Sequence, residues 1–397
     1  MFRRMPTPQK KPRVINVLVY GGTGGSGGFD RYCKGLLGSE AVPPDLNIYF
    51  LCSPEFKRKL KPLDAVVQTI THPWMSSRSR LKRLLWHIWL YPQLIRRKRI
   101  IVEFYPSGIL PLLRRIVPGR SIIATTCHNL LPFDLIEFSR KSEQQVYRNM
   151  PSLRKNIVTS LSKSSIVIFL SDYSKHLIMG QLTTNPKCAV IEHGLDSDFK
   201  MRTSRSYDIS DVVTLLYVSP LFPYKHQMNV VRAVKELRNI TRRDVRLRLV
   251  GGGDPEAVRD MQVFIENENS GTYVSLLANL NREDLKHEYC RADIFVFASS
   301  CETFGITLLE AMGFKLPIAC SNRSGLSDIL RDAGVYFDPE DHQSLIRALN
   351  ILMSNAALRK SYGEKASEYA RKYTWSECAS ETFRFISESG NQLISRE

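Results

Sequence analysis

Residues 299–322, SSCETFGITLLEAMGFKLPIACSN, carry the strongest structural signal in this 397-residue chain. They follow an apolar strand pattern and continue into a helical one, which puts Glu302 in the connecting loop and Glu310 two turns into the helix. Two carboxylates at different depths of one cleft can bind two parts of an extended ligand, whereas the alternative is a pair of solvated glutamates on an ordinary helix. Amides at a helix start bind diphosphate, because their N–H groups and the helix dipole both favour negative charge. In this stretch those amides belong to Phe304, Gly305, Ile306 and Thr307.

Short apolar runs on both sides of this stretch alternate with segments of helical length. In the second half of the chain they lie at 214–218, 246–250, 273–277, 294–298, 316–320 and 335–337. In the first half they lie at 14–20, 121–126, 165–170 and 188–192. Such alternation favours parallel sheets covered by helices, and the polar segment 201–211 separates the two series. The sequence therefore predicts two doubly wound α/β domains.

A glycine-rich loop, GGTGGSGG at 21–28, joins the first apolar run to a helical segment. Glycines let the backbone approach a ligand closely, and the helix start beyond them favours phosphate or sugar hydroxyls. We therefore expect ligand contact at Gly24 and Gly25, the alternative being a tight turn without a ligand. A nicotinamide site is disfavoured, because no acidic residue ends a clear second strand about 20 residues further on.

Several motifs, taken in order, resemble family 4 of the retaining GT-B glycosyltransferases. The spacing of Glu302 and Glu310 matches the E-x7-E signature of that family, and the likeness covers nearly all of residues 213–340. Its other parts are LYVSPLFPYKHQMNVVRAVKEL (216–237), RLRLVGGGD (246–254), LANLNREDLKHEYCRADIFVFAS (277–299) and SNRSGLSDILRDAGVYFDP (321–339). The segment YTWSECASETF (373–383) resembles the terminal helix of the family, which crosses back onto the first domain.

The resemblance implies the GT-B architecture, in which two Rossmann-like domains face each other across a cleft. We expect an N-terminal acceptor-binding domain at 1–205, a nucleotide-sugar-binding domain at 206–375, and the crossing helix at 376–397. The implied activity is transfer of a sugar from a nucleotide donor with retention of anomeric configuration.

The resemblance also implies roles for individual residues. Glu302 would face the transferred sugar and Glu310 the ribose. Lys225, in YKHQ, would neutralise the donor diphosphate and stabilise the leaving group as charge develops. Many relatives have an arginine where this chain has Pro220, so a second cation on the diphosphate is either missing or supplied from elsewhere.

Two histidines complete the expected site. His128, in TTCHNLLP, resembles the family histidine beside the transferred sugar, the alternative being a hydrogen-bonded structural histidine. His193, in IEHGLDSDF, resembles a residue close to the interdomain cleft. The sequence has no Asp-x-Asp motif, so we expect a metal-independent reaction with no cofactor beside the nucleotide-sugar substrate.

The positive charge of the chain is concentrated in its first half. The formal net charge is +17, and residues 1–200 contain 31 Lys+Arg and 13 Asp+Glu, against 25 and 26 in the remainder. Residues 78–99, RSRLKRLLWHIWLYPQLIRRKR, combine cations with Leu, Ile and Trp, which suits the headgroup region of an anionic membrane. A core helix with basic ends is the alternative, because Pro92 interrupts the segment, but further cations at 57–61 favour the membrane.

The expected acceptor is a glycan or a polyprenyl-diphosphate-linked glycan at that anionic surface. Eight scattered cysteines without a C-x-x-C pair, and a basic start without an apolar signal region, predict a cytoplasmic protein. No apolar run reaches the roughly 20 residues that span a bilayer. We therefore expect a peripheral location on the inner face of the cytoplasmic membrane.

The preferred function is hexose transfer in surface-polysaccharide or lipopolysaccharide synthesis, with GDP-mannose ahead of a UDP-hexose as donor. That preference follows from overall likeness to polysaccharide mannosyltransferases. A nucleotide-sugar epimerase of the same architecture is one alternative. A basic nucleic-acid-binding protein is another, but the sequence lacks aromatic RNP-like stretches, a zinc module and a helix-turn-helix, so no nucleic acid is expected.

Overall fold

Two parallel β-sheets, each covered by helices, form the frame of the protein. The computed structural model describes residues 14–24, 28–38, 42–60, 63, 66–117, 119–139, 145–201, 205–278 and 280–395. The seven strands of the first sheet are β1 Ile15–Gly22, β2 Leu46–Cys52, β3 Val67–Thr71, β4 Val102–Tyr105, β5 Ile122–Thr126, β6 Ile166–Phe169 and β7 Lys187–Val190. The six of the second are β8 Val212–Val218, β9 Asp244–Val250, β10 Val274–Leu277, β11 Ile294–Phe297, β12 Ile318–Ser321 and β13 Val335–Phe337.

Strand order reverses once in each sheet. The first sheet runs β3-β2-β1-β4-β5-β6-β7 and the second β10-β9-β8-β11-β12-β13. Every pairing is parallel, so the carboxyl ends of the strands lie along one edge of each sheet. Open sheets of this kind bind ligands beyond that edge, beside the point where the order reverses. The predicted doubly wound GT-B architecture is confirmed.

Helices follow most strands of both domains. Those of the N-terminal domain are α1 Gly28–Leu37, α2 Pro54–Lys59, α3 Arg80–Leu85, α4 Tyr91–Arg97, α5 Leu112–Ile116, α6 Leu135–Ser139, α7 Gln145–Arg148, α8 Met150–Ser162 and α9 Asp172–Met179. Those that follow are α10 Gln227–Thr241, α11 Pro255–Asn267, α12 Arg282–Arg291, α13 Ile306–Gly313, α14 Leu326–Leu330, α15 His342–Ser354, α16 Ala356–Ala370 and α17 Trp375–Ile394. Across the described parts of the chain, none of these helices has the length and apolarity needed to cross a bilayer.

The chain passes into the C-terminal domain earlier than the expected boundary at 205/206. Leu195 and Phe199 are buried in the core of the C-terminal domain, and the amide of Met201 donates to the carbonyl of Gly313 at 2.9 Å. The guanidinium of Arg205 donates to four carbonyl oxygens of the same domain. Residues 205–211 therefore lie within the second domain, because the apolar side chains of Leu195 and Phe199 are already buried there.

Helix α17 returns to the N-terminal domain. Its buried side chains Phe383 and Ile386 join the same apolar cluster as Ile15 of β1. At its start the ring of Trp375 lies against Gly35 of α1, where a Cβ atom would come within 2.1 Å of the ring. The helix therefore completes the core of the N-terminal domain.

Candidate active site between the two domains

The loop before α13 and a short 3-10 turn bring two of the expected residues together. Glu302 lies in that loop, and Lys225 ends the turn Pro223–Lys225 that follows β8. The Lys225 ammonium forms an ion pair with the Glu302 carboxylate, and the lysine side chain is almost completely buried. Its backbone is fixed as well, because the Tyr217 hydroxyl donates to the Lys225 carbonyl at 2.6 Å. A buried cation held in this way can stabilise negative charge that develops beside it.

Gly305 begins α13 with a positive φ of 88°. A side chain there would be strained, and glycine leaves the helix start open because it has no side chain to cap the first amides. Ile306 and Thr307 form the first turn and are partly exposed, whereas the Phe304 ring is buried against His193 and Tyr373. The expected anion-binding helix start is therefore formed by backbone groups, with the Phe304 ring packed beneath it.

Glu310 lies on α13 and is fully buried. The Tyr289 hydroxyl donates to its Oε2 atom at 2.8 Å, and Arg31 of α1 donates to Oε1 from the opposite domain. Burial raises the pKa of Glu310, and the nearby Arg31 guanidinium opposes that increase. The carboxylate expected at the ribose is thus held by one group from each domain.

His128 and His193 face each other from the N-terminal side, with ring centroids 5.4 Å apart. Tyr32 of α1 packs on both, at 4.6 Å from the first ring and 5.2 Å from the second. Burial lowers the pKa of His128 to about 4 and that of His193 well below its usual value, so both rings are neutral at pH 7.

Within the described parts of the chain, one nitrogen of each buried ring has no hydrogen-bond partner. Among the described residues, no hydrogen-bonding group reaches His128 Nε2 or His193 Nδ1. The other ring nitrogen of His128 is hydrogen-bonded to the backbone of Pro106. Because a neutral imidazole has one donor and one acceptor nitrogen, His128 Nε2 carries the lone pair when Nδ1 donates to the Pro106 carbonyl. This atom can accept a hydrogen bond from a hydroxyl group.

The loop that carries Glu302 is bonded to the N-terminal domain. The Thr303 hydroxyl donates to the His128 carbonyl at 3.1 Å, and the Ser171 hydroxyl donates to the Thr303 carbonyl at 2.7 Å. Ser300 donates to a Glu137 oxygen at 2.7 Å. Both domains therefore hold the groups around the cleft in one arrangement.

The glycine-rich loop follows β1 at the same edge of the first sheet. Gly24 has a φ of 75°, and a Cβ atom there would come within 2.6 Å of the Phe56 ring. The positive φ and the close Phe56 ring each explain why residue 24 is a glycine, so no ligand contact is needed to explain it. The expected contact at Gly25 lies outside the described residues.

Two residues of the cleft escaped the sequence analysis. Arg31 lies in the first turn of α1, directly after the glycine loop. A long cationic side chain at this position can reach across a cleft, and this was the sequence feature from which its role could have been predicted. Tyr289 lies in α12, where nothing in the local pattern points to Glu310. At Pro220, where many relatives have an arginine, the backbone carbonyl accepts a hydrogen bond from the side-chain amide of Gln227 at 2.8 Å.

Known proteins share both the second domain and the overall fold. The family described as glycosyl transferases group 1 matches residues 202–369. O-antigen chain mannosyltransferase B of Escherichia coli is 24% identical over 269 residues, which are 65% of this chain and 68% of that protein. Residues 202–369 are therefore similar to the glycosyl transferases group 1, and the whole chain has the two-domain fold of a known lipopolysaccharide glycosyltransferase.

Solved glycosyltransferase structures have the same arrangement of domains. Sucrose-phosphate synthase of Thermosynechococcus elongatus superimposes with a TM-score of 0.69 at 16% identity, over 96% of this chain and 100% of its own. WaaG, a glycosyltransferase involved in lipopolysaccharide biosynthesis, gives a TM-score of 0.66 at 16% identity, over 93% and 99% of the two chains. At these identities the comparison establishes the fold alone, and the activity and substrates of the protein must be inferred from the site itself.

Proposed function

We propose that the protein is a retaining, metal-independent hexosyltransferase that uses GDP-mannose, or secondarily a UDP-hexose, to extend a glycan or a polyprenyl-diphosphate-linked acceptor. The observation that carries this proposal is the buried Lys225–Glu302 pair beside the open start of α13. The similarity to an O-antigen mannosyltransferase supports mannose and a surface-polysaccharide product.

In the proposed mechanism, the donor diphosphate lies at the helix start beside Lys225. The bond between the anomeric carbon and the β-phosphate oxygen breaks, and its electron pair goes to that oxygen. Lys225 and the amides of α13 stabilise the new negative charge, which replaces the need for a divalent cation. The acceptor hydroxyl oxygen bonds to the same face of the anomeric carbon, and its proton passes to the departing phosphate.

The remaining groups position the donor. Glu302 contacts the hexose, while Glu310 exchanges its bond with Arg31 for one to a ribose hydroxyl. Arg31, once released from Glu310, acts as the second cation on the diphosphate, in place of the arginine that Pro220 replaces. Neutral His128 accepts a hydrogen bond from a sugar hydroxyl at Nε2, and His193 lies beside it.

A peripheral location on the inner face of the cytoplasmic membrane is part of the same proposal. Helical residues 80–97 bury Trp86 and Tyr91 against the first sheet and leave a second apolar face in solvent. That face is formed by Leu81, Leu84, Leu85, Ile88 and Trp89. The helical spacing of these apolar residues and the exposed cations beside them suit insertion among anionic headgroups.

A thermal-shift titration tests the donor assignment, because a ligand that binds only the native state raises Tm. Purified protein is titrated with GDP, UDP and ADP and with their common sugar conjugates. We expect GDP and GDP-mannose to give the largest increase. A larger increase with UDP ligands would change the donor, and no increase with any nucleotide would contradict the transferase proposal. Product analysis without an acceptor follows, since release of an isomeric nucleotide sugar would replace transfer by epimerisation.

A further inference from the structure

A cavity of about 960 Å³ lies in the N-terminal domain, away from the interdomain cleft. It is enclosed by α4, α5 and the residues that begin β4 and β5, among them Ile101 and Ser121. His128 follows the carboxyl end of β5, so the cavity and the proposed active site lie toward opposite edges of the same sheet. The proposed transfer reaction gives this cavity no role.

The floor of the cavity is a closed polar network around Glu103. The hydroxyls of Tyr91 and Tyr105 each donate to Glu103 Oε2 at 2.5 Å, and Arg114 donates to Oε1 at 2.7 Å. Ser121 donates to Oε1 as well. The buried carboxylate is thus satisfied and neutralised within the protein, and it does not repel an anion in the cavity.

Three further arginines line the cavity and face solvent. They are Arg96 and Arg99 at the end of α4 and Arg120 before β5. Within the part of the chain that the structure describes, none of the three forms an ion pair with a carboxylate. Guanidinium groups bind phosphate through two parallel hydrogen bonds, so three unpaired ones around one cavity favour an anionic phosphate group.

The walls of the same cavity are apolar. Ile88 and Val117 both line it, and each is 55% exposed. They connect the cavity to apolar side chains that stand in solvent on α3, α5 and the turn between α3 and α4. These are Leu81, Leu84, Leu85, Trp89, Leu112 and Ile116. A ligand that fits this surface has an anionic head and a hydrocarbon tail.

We propose that this cavity binds the phosphate headgroup of an anionic membrane lipid, with its acyl chain against Ile88 and Val117. The volume lies within the range of small-molecule sites and accommodates a headgroup with the first part of its chains. A nucleic acid would require an extended cationic track, whereas these cations surround a concave cavity with apolar walls. The exposed apolar face of α3 brings the opening of the cavity to the depth of the headgroups.

Calorimetric titration of the full chain with short-chain lipids below their micellar concentration tests this site. The probes are dihexanoyl phosphatidic acid, dihexanoyl phosphatidylcholine and inorganic phosphate. We expect saturable binding of the phosphatidic acid, with at least tenfold weaker binding of both other probes. Arg96→Gln/Arg99→Gln/Arg120→Gln should weaken phosphatidic acid binding at least tenfold.

A matched variant separates this site from general surface charge. Arg242→Gln/Arg243→Gln/Arg259→Gln removes the same charge from exposed positions of the C-terminal domain and should bind the lipid as the wild type does. Equal binding by the wild type and the cavity variant would overturn the proposal. Equal affinity for phosphate and for the lipid would show a free-anion site and overturn the lipid assignment. Neither measurement uses glycosyl transfer, so failure here leaves the proposed function untouched, and an inactive transferase leaves this site testable.

Discussion

Arg31 of α1 and Glu310 of α13 form an ion pair that joins the two domains across 279 residues of sequence. The carboxylate is fully buried, while the guanidinium retains some contact with solvent. The same carboxylate is expected to bind the ribose of the donor. In the proposed mechanism, donor binding and domain contact would therefore compete for one side chain.

The first prediction concerns the stability of this pair. Arg31→Ala should lower the free energy of unfolding by about 3 kcal/mol, because a buried carboxylate that loses its cation is strongly destabilising. Urea unfolding of both single variants and of Arg31→Ala/Glu310→Gln completes a double-mutant cycle. Neutralising Glu310 should recover part of the loss, whereas strictly additive effects would show that the pair has no coupling energy.

The second prediction separates the two signature glutamates. Glu310→Gln should weaken nucleotide binding about tenfold, because a charge-assisted hydrogen bond contributes roughly 1.5 kcal/mol or more. Glu302→Gln should leave nucleotide affinity within about twofold and lower kcat roughly a hundredfold, since it removes a contact to the sugar. Glu266→Gln, on the exposed side of α11, is the control. Wild-type kinetics in both signature variants would refute the assigned roles.

The third prediction concerns acid stability. In the folded protein the pKa of His128 is about 4, because burial disfavours the charged ring, whereas an unfolded histidine titrates near 6.5. Below pH 6.5 the unfolded state binds the proton first, so stability is retained above that pH and lost as pH falls toward 4. Through His128 alone, the free energy of unfolding should be roughly 2 kcal/mol lower at pH 5 than at pH 7.5.

Urea unfolding at those two pH values measures the effect. The difference in the free energy of unfolding between the two pH values should be roughly 2 kcal/mol smaller in His128→Asn than in the wild type. It should be unchanged in His287→Asn, which replaces an exposed ring. The same pH dependence in both variants would mean that folding does not change the pKa of His128.

The fourth prediction tests the tight contact between the two crossing segments. A Cβ atom on Gly194 would lie 2.3 Å from the backbone nitrogen of Trp375. A backbone atom at the start of a helix has little freedom to move away. Gly194→Ala should therefore destabilise the protein by about 1 to 3 kcal/mol. Gly180→Ala adds the same methyl group where no atom lies within 4 Å, and should leave Tm unchanged or slightly higher. Equal melting temperatures would show that the Gly194 contact relaxes without cost.

The fifth prediction addresses the exposed apolar face. Ile88→Gln/Trp89→Gln should reduce sedimentation with anionic liposomes at least tenfold, because burying each side chain contributes about 1.5 to 3 kcal/mol. Ile240→Gln/Val263→Gln changes two equally exposed apolar residues of the C-terminal domain and should sediment like the wild type. Loss of binding in both pairs would indicate non-specific adsorption.

The strand patterns of the second domain were predictable because each apolar run is short and bounded by polar residues. In the first domain, β2, β3 and β4 were not predicted from the sequence. The alternation of β3, VQTIT, is weak, since three of its five residues are polar and two of these are adjacent. Strand β4, VEFY, contains Glu103, whose burial depends on Arg114 and on two tyrosine hydroxyls that local sequence does not reveal.

The helix at 80–97 was predicted to break at Pro92. It continues because Trp86–Leu90 forms a π turn, in which the amide of Tyr91 bonds to the Trp86 carbonyl. The wider turn accommodates a residue without an N–H group directly after it. In the candidate site, Lys225, Glu302 and Glu310 were predicted from their motifs. The bond from Arg31 was not, because only the assembled domains bring α1 and α13 together.

The packing of α17 has a consequence for synthesis on the ribosome. Phe383 and Ile386 complete the core around β1, so the domain translated first lacks part of its interior until the chain beyond the second domain has emerged. At 5–20 residues per second, the interval between Val190 and Trp375 is on the order of 10 to 40 s. During that time the second domain, whose core needs no later segment than Tyr373, can finish folding first. The second domain would then mature before the first, which is the reverse of the usual order along a nascent chain.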